Sequence, residues 1–207
     1  MLYKKSGEFE IHGLFPKPIF KVDNLLINKL DYYKKLIKSY NKKLTRNNYN
    51  NVDSSHQLIN IHKENNFKEL FDSILKYTKY FLKETGYDNI DNVKISNSWF
   101  NISKKNDYLQ KHIHKGSLIS GAFYIKSGKN DTIDFFDNND MTTDPERCTE
   151  ISLSSTSFSF DCVPARLLLF KSSLEHGTPK QTSKEKIVIS FNINIQWKKY
   201  MVVICRS

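Results

Sequence analysis

The chain is poor in cysteine. Cys148, Cys162 and Cys205 are its only three, an odd number at wide spacing with no C-x-x-C pair. That excludes a disulfide framework and a zinc knuckle, and fits reduced thiols in a reducing compartment. Arginine is nearly as scarce: Arg46, Arg147, Arg166 and Arg206 stand beside 28 lysines. The formal charge of +10 admits nucleic acid, anionic membrane or acidic protein as a partner. A reader of phosphates and base edges draws on the planar guanidinium fork, so for nucleic acid the charge argues by its sign alone. No apolar run reaches the length of a membrane span. The opening Met-Leu-Tyr-Lys-Lys-Ser lacks the apolar stretch of a signal peptide. A cytoplasmic protein with no membrane partner is the expectation. The chain also lacks internal repeats and a Pro/Gly/Ser linker, which points to one domain over 1–207, as a monomer or a homodimer.

What is present is enough apolar material for a core, 39% hydrophobic and 13% aromatic. The pattern changes near residue 92. Before it, Leu26, Leu30, Tyr33, Ile37, Tyr40 and Leu44 step by three or four, predicting a helix from an Asn24 cap to about Lys43. Residues 14–22 hold two prolines and read as extended. Residues 45–58 read as a polar, Asn-rich loop. A second helix fits 66–84, with Gly86 placed to end it. From Val93 onward, short β-branched and aromatic runs recur at 94–101, 109–114, 118–126, 132–136, 149–152, 156–160, 166–171 and 186–196. Many short strands separated by turn residues predict a jelly roll or barrel. The fold expected is α+β: two packing helices over 1–92, then a jelly-roll core over 93–197.

Six histidines are present, and His12, His56 and His62 lie scattered in the first half, where they read as ordinary surface or core residues. His112 and His114 are different. In a strand, residues i and i+2 share a face, so these two can meet one metal while Ile113 points into the opposite layer. His176 follows the apolar run Leu167–Phe170 and precedes Gly177-Thr178-Pro179, a place from which a third imidazole reaches the mouth of a barrel. Imidazole suits iron, zinc, copper and nickel. Two histidines alternating on a solvated strand would carry no metal at all.

The order of short motifs along the chain resembles one family, the 2-oxoglutarate-Fe(II) oxygenases related to prolyl hydroxylases. Leu14-Phe15-Pro16-Lys17-Pro18-Ile19 is similar to its opening, and Asn97-Ser98-Trp99-Phe100-Asn101 to its Trp-containing strand. Asp107 through His114 resembles the metal strand, and Ser117 through Ile125 the segment after it. Leu167 through Gly177 resembles the distal-histidine region, and Ile189 through Ile193 the last strand. The resemblance implies a double-stranded β-helix that binds Fe(II) and 2-oxoglutarate and hydroxylates a substrate with O2. It implies His112, His114 and His176 as metal ligands. His114 stands where the superfamily usually has a carboxylate. Asp107, Asp131, Asp134 and Asp137 are the alternatives, Asp134 first among them. The family's cation for the far carboxylate of 2-oxoglutarate falls on Lys186, ten residues after His176. Ser190 and Tyr124 are additional partners, and Arg166 is the alternative cation. Trp99, Phe123, Tyr124, Phe135 and Phe136 are candidates to line the cavity or simply to fill the core. A three-histidine zinc enzyme and a non-enzymatic basic jelly-roll binding protein are the rival readings.

Overall fold

The computed structural model describes residues 2–5, 10–12, 16–40, 44–46, 51–87, 90–137 and 155–197. In chain order its elements are β1 (Leu2–Lys5), β2 (Glu10–His12), β3 (Ile19–Val22), α1 (Leu30–Ser39), β4 (Thr45–Arg46), β5 (Asp53–Ser54), α2 (Lys68–Glu84), β6 (Ile90–Lys104), β7 (Leu109–His112), β8 (Ile119–Lys126), β9 (Thr132–Phe136), β10 (Ser157–Asp161), β11 (Leu167–Lys171), β12 (Glu175–Thr178) and β13 (Glu185–Trp197). The second half, joined by β3, β4 and β5 of the first, forms two antiparallel sheets. The major one runs β3-β11-β8-β13-β6-β5-β4 and the minor one β10-β9-β12-β7. This is the α+β jelly roll that the pattern predicted.

Three strands of the major sheet are buried on both faces, and their period of two sorts the core into layers. Phe123, Ile125, Leu167, Leu169, Ile187, Ile189, Phe191 and Ile193 pack with Tyr33, Ile37, Leu70, Phe71 and Ile74 of the helices. The alternate positions Ala122, Tyr124, Leu168, Phe170 and Val188 face the other way and pack with Ile133 and Phe135 of the minor sheet. A one-residue slip of any strand would exchange the two sets, so the register is tightly specified.

The first helix is shorter than its periodicity suggests. Asn24 and Leu26 hold positive φ, 61° and 49°, and a 3-10 turn over Ile27–Lys29 precedes α1. Asn24 is therefore no cap, and Leu25 and Leu26 enter the core from a turn. The second helix begins two residues late, after a 3-10 turn over Asn65–Phe67. Gly86 follows it at φ 83°, the left-handed conformation that ends helices. The 45–58 stretch contains the small strands β4 and β5, the latter paired with β6 at Ile102 and Asn101. The run 149–152 lies outside the described residues, as does Cys148. Glu175–Thr178 is a strand of its own in the minor sheet, where only the end of a preceding strand was expected.

Candidate metal centre

The minor sheet builds the site. Strand β12 lies between β9 and β7, with His176 opposite His112 on one side and opposite Phe135 on the other. Gly177 permits this closeness, since a Cβ there would meet the Leu109 carbonyl oxygen at 2.9 Å. Strand β7 stops at His112, two residues short of the expected end. His114 stands just beyond, held by its backbone N–H donating to the Ser172 carbonyl at 2.9 Å. Ile113 enters no opposite layer; it is 41% exposed at the cavity rim. Strand alternation is thus not what brings the two histidines together.

They converge all the same. One ring nitrogen from each of His112, His114 and His176 lies within 4.8 Å of the others. The Nε2 atoms of His114 and His176 are 3.2 Å apart. His112 donates from Nδ1 to its own strand at the Gln110 carbonyl, 2.7 Å, and His176 from Nδ1 to the Leu174 carbonyl, 2.9 Å. A carbonyl only accepts, so both rings carry hydrogen on Nδ1 and leave the Nε2 lone pair toward the shared point. Burial, then the His112 and His56 charges, push the His114 imidazole down to about 4. Burial, then His112, push His176 down to about 3, against the Leu174 carbonyl and with His114 adding to the fall. Both rings are neutral at neutral pH, the state in which imidazole binds a metal.

None of the four alternative carboxylates joins the cluster. Asp134 alternates with the inward-facing Ile133 and Phe135 and accepts from the Thr132 hydroxyl at 3.0 Å. Asp107 is buried against the Arg46 guanidinium, 2.6 Å. Asp131 is tied to Gly128, Thr182 and Ser183. Asp137 pairs with Lys17.

The three histidines open onto a cavity of about 350 Å³. Lys186, Ser190 and Tyr124 line the same cavity, as do Trp99, Ile133, Phe170 and Val188. Phe123 packs toward the helices instead, Phe135 fills the core between the sheets, and Phe136 lies under the Lys111 ammonium. Lys186 is 3% exposed, and no carboxylate lies within ion-pair range of it among the described residues. Arg166, the alternative cation, is used elsewhere, on Asp23 and the Asp161 carbonyl. The far wall was not foreseen. Ser54, His56 and Gln57 reach it from the segment read as a loop, and the His56 ring meets Trp99 edge-on at 4.6 Å. No spacing rule links that segment to the histidine strands; it arrives through the β5–β6 pairing.

Comparison with known proteins agrees with this geometry. Residues 97–192 match the family described as "Putative 2OG-Fe(II) oxygenase". A Pseudomonas putida prolyl-4-hydroxylase superimposes with TM-score 0.62 at 7% identity, over 86% of this chain and 93% of that one. The 2OG complex of the viral collagen prolyl hydroxylase from Paramecium bursaria Chlorella virus-1 gives 0.54 at 17% identity, over 84% and 94%. The non-haem α-ketoglutarate-dependent epimerase SnoN of nogalamycin biosynthesis gives 0.63 at 10% identity, over 86% and 78%. At these identities the structural likeness speaks for the fold. The chain has no match among the curated proteins compared with it. The fold, the histidine cluster and the matched stretch agree: over residues 97–192 this chain is similar to the 2OG-Fe(II) oxygenase family, on a fold shared with solved 2OG oxygenases.

Proposed function

We propose that this protein is an Fe(II)- and 2-oxoglutarate-dependent dioxygenase of the hydroxylase type. In this reading His112, His114 and His176 hold the iron through Nε2, and Lys186, with Ser190 and Tyr124, receives the far carboxylate of 2-oxoglutarate. The observation that carries it is the Lys186 ammonium: buried, without a carboxylate partner among the described residues, and in one cavity with the three imidazoles. A buried cation without a counter-ion is costly, and an anionic ligand removes that cost.

The donor set fits the metal. Three neutral imidazoles leave iron(II) its full double charge, and the 2-oxoglutarate dianion balances it. Iron with 2-oxoglutarate supplies the O2 chemistry, giving succinate, CO2 and a hydroxylated C–H bond. The protein's own part is positioning. Burial, then the neighbouring Cys162, raise the Tyr124 phenol well above its usual range, so it stays a hydrogen donor for a carboxylate. Val188, Ile133 and Phe170 supply apolar walls of the same cavity.

The set of three histidines without a carboxylate also suits a zinc enzyme that activates water. That alternative gives the Lys186 ammonium no task. Anaerobic reconstitution with ferrous iron, followed by 2-oxoglutarate titration, separates the two. The expected result is a visible absorption that saturates at one equivalent, then succinate on admitting O2. Lys186→Ala should weaken 2-oxoglutarate by about 1.5–3 kcal/mol, the loss of a charged hydrogen bond, with iron stoichiometry unchanged. An unaltered 2-oxoglutarate affinity in that variant removes Lys186 from the role. Absence of any 2-oxoglutarate response in the parent protein favours zinc.

A further inference from the structure

Two of the three histidines are oriented by backbone carbonyls; His114 is not. Its Nδ1 faces the side-chain amide of Asn192, 3.4 Å from Nδ2. The Asn192 Oδ1 accepts from the Ser120 hydroxyl at 2.7 Å, and Ser120 meets the Ser172 hydroxyl at 2.8 Å. Ser120, Ser172 and Asn192 are all buried. They form a hydrogen-bonded polar thread, and it ends on the one histidine that replaces a carboxylate.

The hydrogen positions along this thread follow from its two ends. His176 donates from Nδ1 to Leu174, so its Nε2 accepts. His114 must then donate from Nε2 across the 3.2 Å contact, which leaves its Nδ1 to accept from Asn192 Nδ2. In this arrangement the His114 lone pair points away from the shared point. A half-turn of the Asn192 amide reverses the thread. Oδ1 then accepts from His114 Nδ1–H, Nδ2 donates to Ser120, and the two hydroxyls rotate to follow. The Nε2 lone pair of His114 is released toward the metal. An asparagine amide can serve both arrangements because it carries a donor and an acceptor on one rotor.

We propose that Asn192 is a positioning residue that sets the His114 tautomer, holding Nε2–H in the metal-free site and Nδ1–H in the loaded one. The inference rests on the three-histidine reading given above. A ligating histidine needs its second nitrogen held by an acceptor, and losing that partner typically costs roughly 10–100-fold in metal affinity.

Protein labelled with 15N-histidine, observed through long-range proton–nitrogen correlations, reports which ring nitrogen carries hydrogen. His114 is expected as Nε2–H without metal and as Nδ1–H with Zn(II), while His112 and His176 stay Nδ1–H throughout. Asn192→Asp keeps the acceptor and loses the donor. It should give Nδ1–H even without metal, with Zn(II) affinity at or above the parent's. Asn192→Leu loses both and should bind Zn(II) roughly 10–100-fold more weakly. The same His114 tautomer with and without Zn(II) overturns the proposal, as does Asn192→Leu binding like the parent. The tautomer comparison needs no substitution, so it stands if a variant fails to fold. His112→Ala is the control: stoichiometric Zn(II) in that variant defeats the three-histidine reading itself. Loss there with no change in Asn192→Leu defeats only the positioning role.

Discussion

The last strand, β13, shows two buried faces that differ in kind. Toward the helices it presents Ile187, Ile189, Phe191 and Ile193, all apolar. Toward the cavity it presents Lys186, Val188, Ser190 and Asn192, of which three are polar. Both sets lie on one run of backbone. The first lowers the free energy of folding through burial. The second costs free energy to bury and is intelligible only through what it binds. Stability and binding should therefore separate by face when β13 and its neighbours are altered.

The largest separation is expected at the histidines. His112→Ala should lower metal affinity at least about 1000-fold, equivalent to about 4 kcal/mol, while the metal-free protein melts as before. His114→Ala should lose iron in the same way. His114→Asp should keep it, because it restores two histidines and a carboxylate. Iron content after anaerobic loading distinguishes these, and full occupancy in His114→Ala would sink the three-histidine assignment. On the opposite face Ile189→Ala should destabilise by about 2–5 kcal/mol in urea unfolding and leave the metal stoichiometry of the folded protein intact. If both properties fall together, the two faces are not separable.

A smaller effect probes the joint between β9 and β13. Burial alone would raise the Asp131 carboxyl. The Ser183 hydroxyl and the N–H groups of Gly128, Ser183 and Thr182 outweigh it and hold the group below its usual range. Its folded value then lies under the unfolded one of about 3.9, so its contribution is present above that pH and lost as pH falls through the folded value. Asp131→Asn should cost about 1–3 kcal/mol at pH 7 and flatten the loss of stability between pH 5 and pH 3. An unchanged acid slope would remove Asp131 from the joint. The smallest effect is expected at Lys186→Met, which should leave stability unchanged or raise it by about 1 kcal/mol, because a buried lysine with no carboxylate partner among the described residues is replaced by an apolar chain of similar length. A clear drop in melting temperature would mean that Lys186 has a structural partner.

How much of this was legible beforehand follows from the distance over which each feature is decided. The strands of the second half were readable because alternation is local: Thr132–Phe136 and Leu167–Lys171 fall where their β-branched and aromatic runs lie. The start of α1 was misjudged because Leu26 takes a left-handed conformation to reach the core, a tertiary demand that overrides periodicity. His112 and His114 were found by a spacing argument whose premise fails, since His114 lies beyond its strand; what holds it is Ser172, fifty-eight residues on. Asn192 was within reach, two positions after Ser190 on the same face, but nothing local told it from a strand asparagine. His56 had no local signal at all.

Strand β7 is four residues long and sits at the end of the minor sheet, paired among the described residues on one side only, to β12. An ion held by His112, His114 and His176 would tie this margin to its neighbour across 62 residues of chain. Such a tie acts as a reversible crosslink on a long loop, where restricting the unfolded ensemble gains most. It has two consequences: the melting temperature climbs with free metal concentration, and the amides of β7 and β12 slow their hydrogen exchange on loading before those of the helices do.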